Sequence, residues 1–275
     1  MQDLRKLHNK ILDIVCYFDE ICKKNNIEYY LEGGAALGAY RHSGFIPWDD
    51  DLDVFMTYDN YMNFISAIKK EIDKEKFYFQ EENTIEWPMY YSKLRLNNTT
   101  YLEEQSNNTM HKGIYIDIFC LNKASKNKIN RYYQYFISKV VTAKTLFLRG
   151  YTTKNKIKKI FLITVNTVVN KKMLVKLVEY LQKYNYVETN YYGHLFGGDS
   201  FKSAFFPEDV LGRPQYVAFE NIKLPVPENI EEYLFIRFGE DFMEIPDYSK
   251  MKNQRKHVIF FDTENDYSIY DELEK

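Results

Sequence analysis

Residues 44–56 read GFIPWDDDLDVFM, in which four aspartates, Asp49, Asp50, Asp51 and Asp53, run straight into an apolar stretch. Like charges this close repel, and carboxylates beside a core are costly unless a cation compensates them. The run LDVFMT predicts a strand, and Pro47 just upstream argues against a helix. On a strand, side chains alternate, so Asp51 and Asp53 share one face while Leu52 and Val54 share the other. Two carboxylates about 6–7 Å apart at their Cα atoms can converge on one divalent cation. Hard oxygen ligands of this kind suit Mg²⁺ or Mn²⁺, with Asp50 as a further candidate ligand.

Working outward, a third carboxylate stands out in GIYIDIFCL, where Asp117 lies between Ile116 and Ile118. An aspartate inside a β-branched strand is out of place unless it serves a site. If that strand pairs beside the strand at 52–57, Asp117 reaches the same cation. Upstream, LEGGAALGAYRH puts Gly33 and Gly34 at a strand end, opening a helix whose N-terminus is suited to phosphate. Around these pieces the pattern predicts an amphipathic helix over 3–24, a second over 58–72, and strands at KFYFQ, MYYSKLRL and TTYLEE. Helices followed by clustered strands indicate an α/β or α+β sheet domain.

The 275 residues are 45% hydrophobic and 28% charged with a net charge of −2, an ordinary soluble composition. Cys16, Cys22 and Cys120 have no metal-like spacing and fit a reducing compartment. The charged N-terminus does not read as a signal peptide, and no apolar run is long enough to span a bilayer. The expectation is a cytoplasmic protein, with peripheral contact at the cytoplasmic face of the membrane as an option. That option rests on charge. Residues 121–185 hold fifteen Lys or Arg and the single acid Glu179, leaving 22 basic and 38 acidic residues elsewhere. A basic amphipathic segment suits a membrane surface; a basic helical lid packed on the acidic body explains it equally. Nucleic acid is the poorer fit, because no binding motif accompanies the charge.

The stretch from Gly34 to Asp53 resembles the LicD family signature Gly-x-x-Leu-Gly-x-x-Arg-His-x-Gly-Phe-Ile-Pro-Trp-Asp-Asp-Asp-Ile-Asp, with Leu52 in place of Ile. KLR at 93–95, IYIDIF, and the C-terminal pieces FFPEDVL and FENIKLPVPENIEEYLFIRFGEDFM are similar to the family too. This resemblance implies a nucleotidyltransferase-like mixed sheet flanked by helices, with a core at 1–125, a basic helical insertion or appendage at 126–190, and a C-terminal portion at 191–275 completing the domain. It implies transfer of an alcohol phosphate, phosphorylcholine by default, from a CDP-alcohol donor to a sugar hydroxyl of a teichoic acid, lipopolysaccharide or capsule precursor, with release of CMP. Asp51, Asp53 and Asp117 would be the catalytic and metal-binding set. Gly33, Gly34, Arg41, His42, Trp48, Lys93 and Arg95 would bind substrate, Trp48 as a candidate face for a choline cation.

Other readings stay open beside this one. Within the family the transferred group could be glycerol, ribitol or ethanolamine phosphate; true nucleotidyl transfer is another enzyme reading. A catalytically silent glycan-binding or scaffold protein is the non-enzymatic one, opposed by three retained carboxylates. The same aspartates match the Asp-Asp-x-x-Asp spacing of prenyl-diphosphate synthases, but that motif needs a helix. His8, His111, His194 and His257 each stand alone, and a structural role is the simpler expectation for each. Arg255 and His257 fall in a basic run, KNQRKH, similar to a terminal motif of the family. Glu220 and Asp241 suggest no chemistry.

Overall fold

A computed structural model describes residues 3–103, 110–247 and 257–273. Helix α1 (Leu4–Lys24) starts where the Asp3 side chain accepts the Arg5 N–H and ends with Lys23 and Lys24 in its last turn. Both arrangements suit the helix dipole. Leu7, Ile11, Ile14, Val15 and Phe18 recur at helical spacing and are wholly buried. Each contributes about 1.5–3 kcal/mol relative to exposure, so this face ties the helix to the sheet.

The sheet is mixed. Its order is β1 (Tyr30–Leu31), β2 (Asp53–Thr57), β6 (Tyr115–Ala124), β4 (Ser92–Leu96) and β3 (Phe77–Gln80). Strands β2 and β6 run parallel, and the other neighbours are antiparallel. Helix α2 (Gly33–His42) joins β1 to β2, and α3 (Tyr58–Glu71) lies in the long crossover that the parallel pair β2–β6 requires. Strand β5 (Thr100–Glu103) leaves this sheet and pairs with β11 (Val258–Asp262).

Strand β6 is ten residues long, and its far end extends the sheet, where Asn122–Ala124 pair with β7 (Tyr191–Gly193) and β7 pairs with β8 (Phe205–Pro207). Above that end sit the basic helices α4 (Lys128–Leu148), α5 (Lys156–Val168) and α6 (Lys171–Gln182). Each opens on an asparagine whose side chain accepts backbone N–H groups of its first turn: Asn127, Asn155 and Asn170. Their inner faces form a second core, with Val141, Leu162, Val165, Val178 and Leu181 against Leu195 and Phe205. The rest of the chain adds the short helix α7 (Glu208–Leu211), the hairpin β9 (Gln215–Phe219) and β10 (Ile222–Val226), and helix α8 (Ile230–Phe238). Among the described residues no helix is long and apolar enough to cross a membrane.

Candidate active site

Strand pairing builds the floor of the site. The parallel β2–β6 ladder sets Asp53 opposite Asp117, and the antiparallel β6–β4 ladder sets Asp117 opposite Lys93. Partners in register point to the same face, so three charged groups line up across three adjacent strands. Alternation explains Asp117 among isoleucines: Ile116 and Ile118 go into the core, while Tyr115, Asp117 and Phe119 face a cavity of about 360 Å³. Asp51, Glu103, Arg149 and His257 supply the rest of its charge. Tyr91, Tyr151 and Phe196, with Tyr115 and Phe119, make its walls largely aromatic.

Lys93 is 1% exposed, and its Nζ lies 2.6 Å from Asp117 Oδ1 and 3.4 Å from the centroid of the Tyr115 ring. Burial pushes its pKa down, against Asp117 and Glu103, which favour the charged form. Glu103 faces the mirror-image contest. Burial would raise its pKa, but Lys93, Arg149 and Arg95 together hold it below the usual carboxylate range. Arg149 Nη2 is 3.3 Å from Glu103 Oε2, and its guanidinium stacks 4.6 Å over the Trp87 ring.

Asp51 and Asp53 are less well compensated than Asp117, which has the Lys93 ammonium beside it. Burial first, then Asp51 and Asp117, drive Asp53 well above the usual carboxylate range. Burial pushes Asp51 up to about 6, although the His257 imidazole, 3.5 Å from its Oδ2, pulls the other way. Among the described residues, Asp53 Oδ1 is buried without a hydrogen-bond partner, and Asp117 Oδ1, though close to Lys93, receives no aligned hydrogen bond. Buried acceptor atoms of this kind are rare and call for a cation or a donor from outside the chain. Oxygen-only donors from Asp51, Asp53 and Asp117 fit a hard divalent ion such as Mg²⁺ or Mn²⁺. The tightest acid cluster nearby is Asp49, Asp50 and Asp51, with ligand atoms within 4.8 Å of one another; Asp53 and Asp117 stand outside it.

A second ionic cluster lies next door. Arg237 pairs with Glu32 through Nη2 and with Asp199 Oδ1 through Nη1 at 2.5 Å, and His194 Nδ1 lies 2.7 Å from Asp199 Oδ2. Glu32, His194 and Asp199 would by themselves be close enough for a metal, but the guanidinium already occupies the cationic role. Burial works against Asp199, yet His194 and Arg237 hold its pKa at about 2. The cluster is joined to the floor through the backbone, where the Glu32 N–H donates to the Asp53 carbonyl at 2.9 Å. Gly197 fits against it because an added Cβ would sit 2.3 Å from the His194 ring.

Residues 26–140 match the family model of the LicD/FKTN/FKRP nucleotidyltransferase domain. Residues 26–140 form a LicD-family domain. Over 268 residues it is 25% identical to the lipopolysaccharide cholinephosphotransferase LicD of Haemophilus influenzae, covering 93% of this chain and 96% of that protein. Short segments are similar to uncharacterized proteins of Rickettsia typhi (49% identical over 45 residues, 16% of this chain and 15% of that protein) and Rickettsia prowazekii (51% over 41 residues, 15% of each). The matched LicD region holds Asp51, Asp53, Lys93, Glu103 and Asp117, while Arg149 and His257 come from beyond it.

Within the LicD domain, the structure separates the residues marked by the sequence. Asp51, Asp53, Lys93 and Asp117 meet at the cavity; the others do not line it. Arg41 donates from Nη1 to the carbonyls of Phe242 and Glu244, which fixes the C-terminal segment instead of meeting a phosphate. His42 accepts from Arg41 Nε and stands edge-on to Trp48, which packs partly buried against the core and does not line the cavity. Arg95 donates to the Gln80 side chain and the Gly113 carbonyl and stacks under Tyr115, so it supports the aromatic wall from behind.

The glycine pair also has a structural explanation. Gly33 takes φ +48° and gives its N–H to the Tyr233 hydroxyl, so the start of α2 is already occupied. At Gly34 an added Cβ would lie 2.7 Å from Asp49 Oδ2. Asp50 Oδ2 accepts the Val258 N–H at the start of β11, which engages it away from the cavity. Arg255 lies outside the described residues.

Glu103, Arg149 and the Arg237 cluster were not marked in the sequence. Arg149 had a faint signal, as an arginine beside Gly150 at the end of an amphipathic helix; Glu103 and Arg237 had none.

Proposed function

We propose that this protein transfers phosphorylcholine from CDP-choline to a hydroxyl of a lipopolysaccharide or related cell-surface glycan precursor, releasing CMP. The carrying observation is the row Asp53, Asp117 and Lys93 across three strands, at the floor of a cavity with aromatic walls. Similarity across nearly the whole chain to a lipopolysaccharide cholinephosphotransferase supports it. In this reading the acceptor oxygen attacks the phosphorus that carries choline, and the phosphoanhydride bond to CMP breaks. Asp51 and Asp53, with Asp117, would hold a divalent cation, which when bound neutralises the diphosphate and the departing CMP. Arg149, presented by α4, contacts donor phosphate oxygens through its planar fork. Asp117, oriented by Lys93, accepts the proton of the attacking hydroxyl. The rings of Tyr91, Tyr151 and Phe196 suit a trimethylammonium group, whose positive charge favours aromatic faces. That wall favours choline over glycerol or ribitol.

The test is thermal denaturation with CDP-choline, CDP-ethanolamine, CDP-glycerol or CDP-ribitol, each with and without Mg²⁺ or Mn²⁺. A ligand binding only the folded state raises its stability by mass action, by about 2.7 kcal/mol at a hundredfold excess over Kd. CDP-choline with metal should give the largest upward shift, and Asp51→Asn should lose it. A larger shift from another CDP-alcohol reassigns the transferred group. No shift from any of them removes the donor reading, and CMP found attached to the acceptor makes the enzyme a nucleotidyltransferase.

A further inference from the structure

Helix α5 is apolar on two sides. Leu162 and Val165, with Val169 just after the helix, turn inward to the second core. On the outer side, Ile157, Ile160, Phe161 and Val168 are 81%, 65%, 42% and 59% exposed. Their spacing of three, four and seven residues places them along one exposed side of the helix. Among the described residues no other element covers this stripe, an unusual expense for a helix in water.

The surrounding charge identifies the cover. Lys154, Lys156, Lys159, Lys171 and Lys172 are exposed before, along and after the helix. No acid occurs between Ser125 and Glu179. Long lysine side chains can lay their stems on apolar surface and lift their ammonium groups to phosphates. A second copy is a poor occupant, because a two-fold contact would press two lysine-rich rims together. At 13 residues α5 is about 20 Å long, too short to span a bilayer but able to lie in its interface.

We propose that α5 docks this protein on an anionic lipid bilayer, with Ile157, Ile160, Phe161 and Val168 entering the interface and the flanking lysines meeting headgroup phosphates. The helix is coupled to the cavity: Lys158 Nζ lies 3.0 Å from the hydroxyl of Tyr151, which lines the wall. Docking through α5 therefore holds the cavity close to the membrane surface, where a lipid-anchored acceptor would lie. This goes beyond the proposed transfer, since vesicle binding needs neither donor nor metal.

Sedimentation with vesicles tests it, using phosphatidylcholine alone and phosphatidylcholine mixed with phosphatidylglycerol, at low and high salt. The full chain should sediment with the mixed vesicles at low salt and be released by salt. Replacing Lys156→Gln and Lys159→Gln together should weaken binding about thirtyfold, from about 1 kcal/mol per basic residue. Ile157→Ser with Phe161→Ser should weaken it on the order of tenfold or more without lowering the melting temperature, since both residues are exposed. Phe161→Trp should be quenched by brominated lipid acyl chains. No sedimentation with mixed vesicles, or binding indifferent to both sets of substitutions, overturns the proposal. So does a concentration-dependent dimer that the Ile157→Ser and Phe161→Ser pair dissolves, which would assign the stripe to a second copy.

Discussion

Asp53→Asn is expected to abolish transfer, by about a thousandfold or more, while leaving the melting temperature at or above that of the wild type. The carboxylate is paired in register with Asp117, lies close to Asp51, and keeps one buried oxygen without a partner among the described residues. Folding holds a proton on Asp53 more tightly than the unfolded chain does, because burial and its neighbours raise the pKa. Such a group stabilises the fold at low pH and loses that contribution as pH rises, so at neutral pH an ionised Asp53 is a cost. A neutral amide of the same shape removes the cost, and also removes an anionic ligand from the place where phosphate charge must be neutralised. Losing one transition-state electrostatic contact typically costs a hundredfold to a thousandfold, and losing a metal ligand costs more. CMP release measured beside a thermal melt separates the outcomes. Turnover near the wild-type rate takes Asp53 out of the chemistry, and a collapsed melt makes its role structural.

Arg237→Met is expected to cost about 3–5 kcal/mol, the range for breaking one partner out of a buried ion pair. It would lower the melting temperature by about 10 °C. Methionine matches the apolar stem but leaves Glu32 and Asp199 facing each other with no guanidinium between them. The pH dependence has a definite sign. Asp199 is held at about 2, below its ordinary value, so its stabilising contribution is present above the unfolded carboxylate range and is lost as pH falls towards 2. In Arg237→Met that acid-sensitive contribution should shrink, and Arg237→Lys should recover only part of it, because a point charge cannot serve two carboxylates as a fork does. A variant melting like the wild type would show that the cluster is solvated and cheap. Activity should fall as well, since Glu32 is bonded to the backbone of Asp53.

The strands and helices of the first 125 residues were legible because alternation and helical spacing are local signals. Asp117 declared itself for the same reason, as an acid at an apolar strand position whose partner strand could be guessed. Motif arginines were less readable. Arg41 and Arg95 sit beside the right residues in sequence, yet both are committed to carbonyls and a ring stack, which only the fold reveals. The glycine pair resembled an anion cradle, but the small size of Gly34 admits Asp49, and Gly33 takes a positive φ with its N–H on the Tyr233 hydroxyl. Glu103, Arg149 and His257 reach the cavity from three distant segments, and no periodicity connects residues so far apart.

Strand β6 carries Asp117 near one end and, at the other, Asn122, Lys123 and Ala124 in a ladder with β7. A single extended backbone thus belongs to both cores. Opening the second core must pull on the same strand that sets the register of the aspartates, so neither core can exchange its amide protons through global opening independently of the other. A donor held on the aspartate floor should therefore slow hydrogen exchange at residues 122–124 and 191–193, well beyond the atoms it touches.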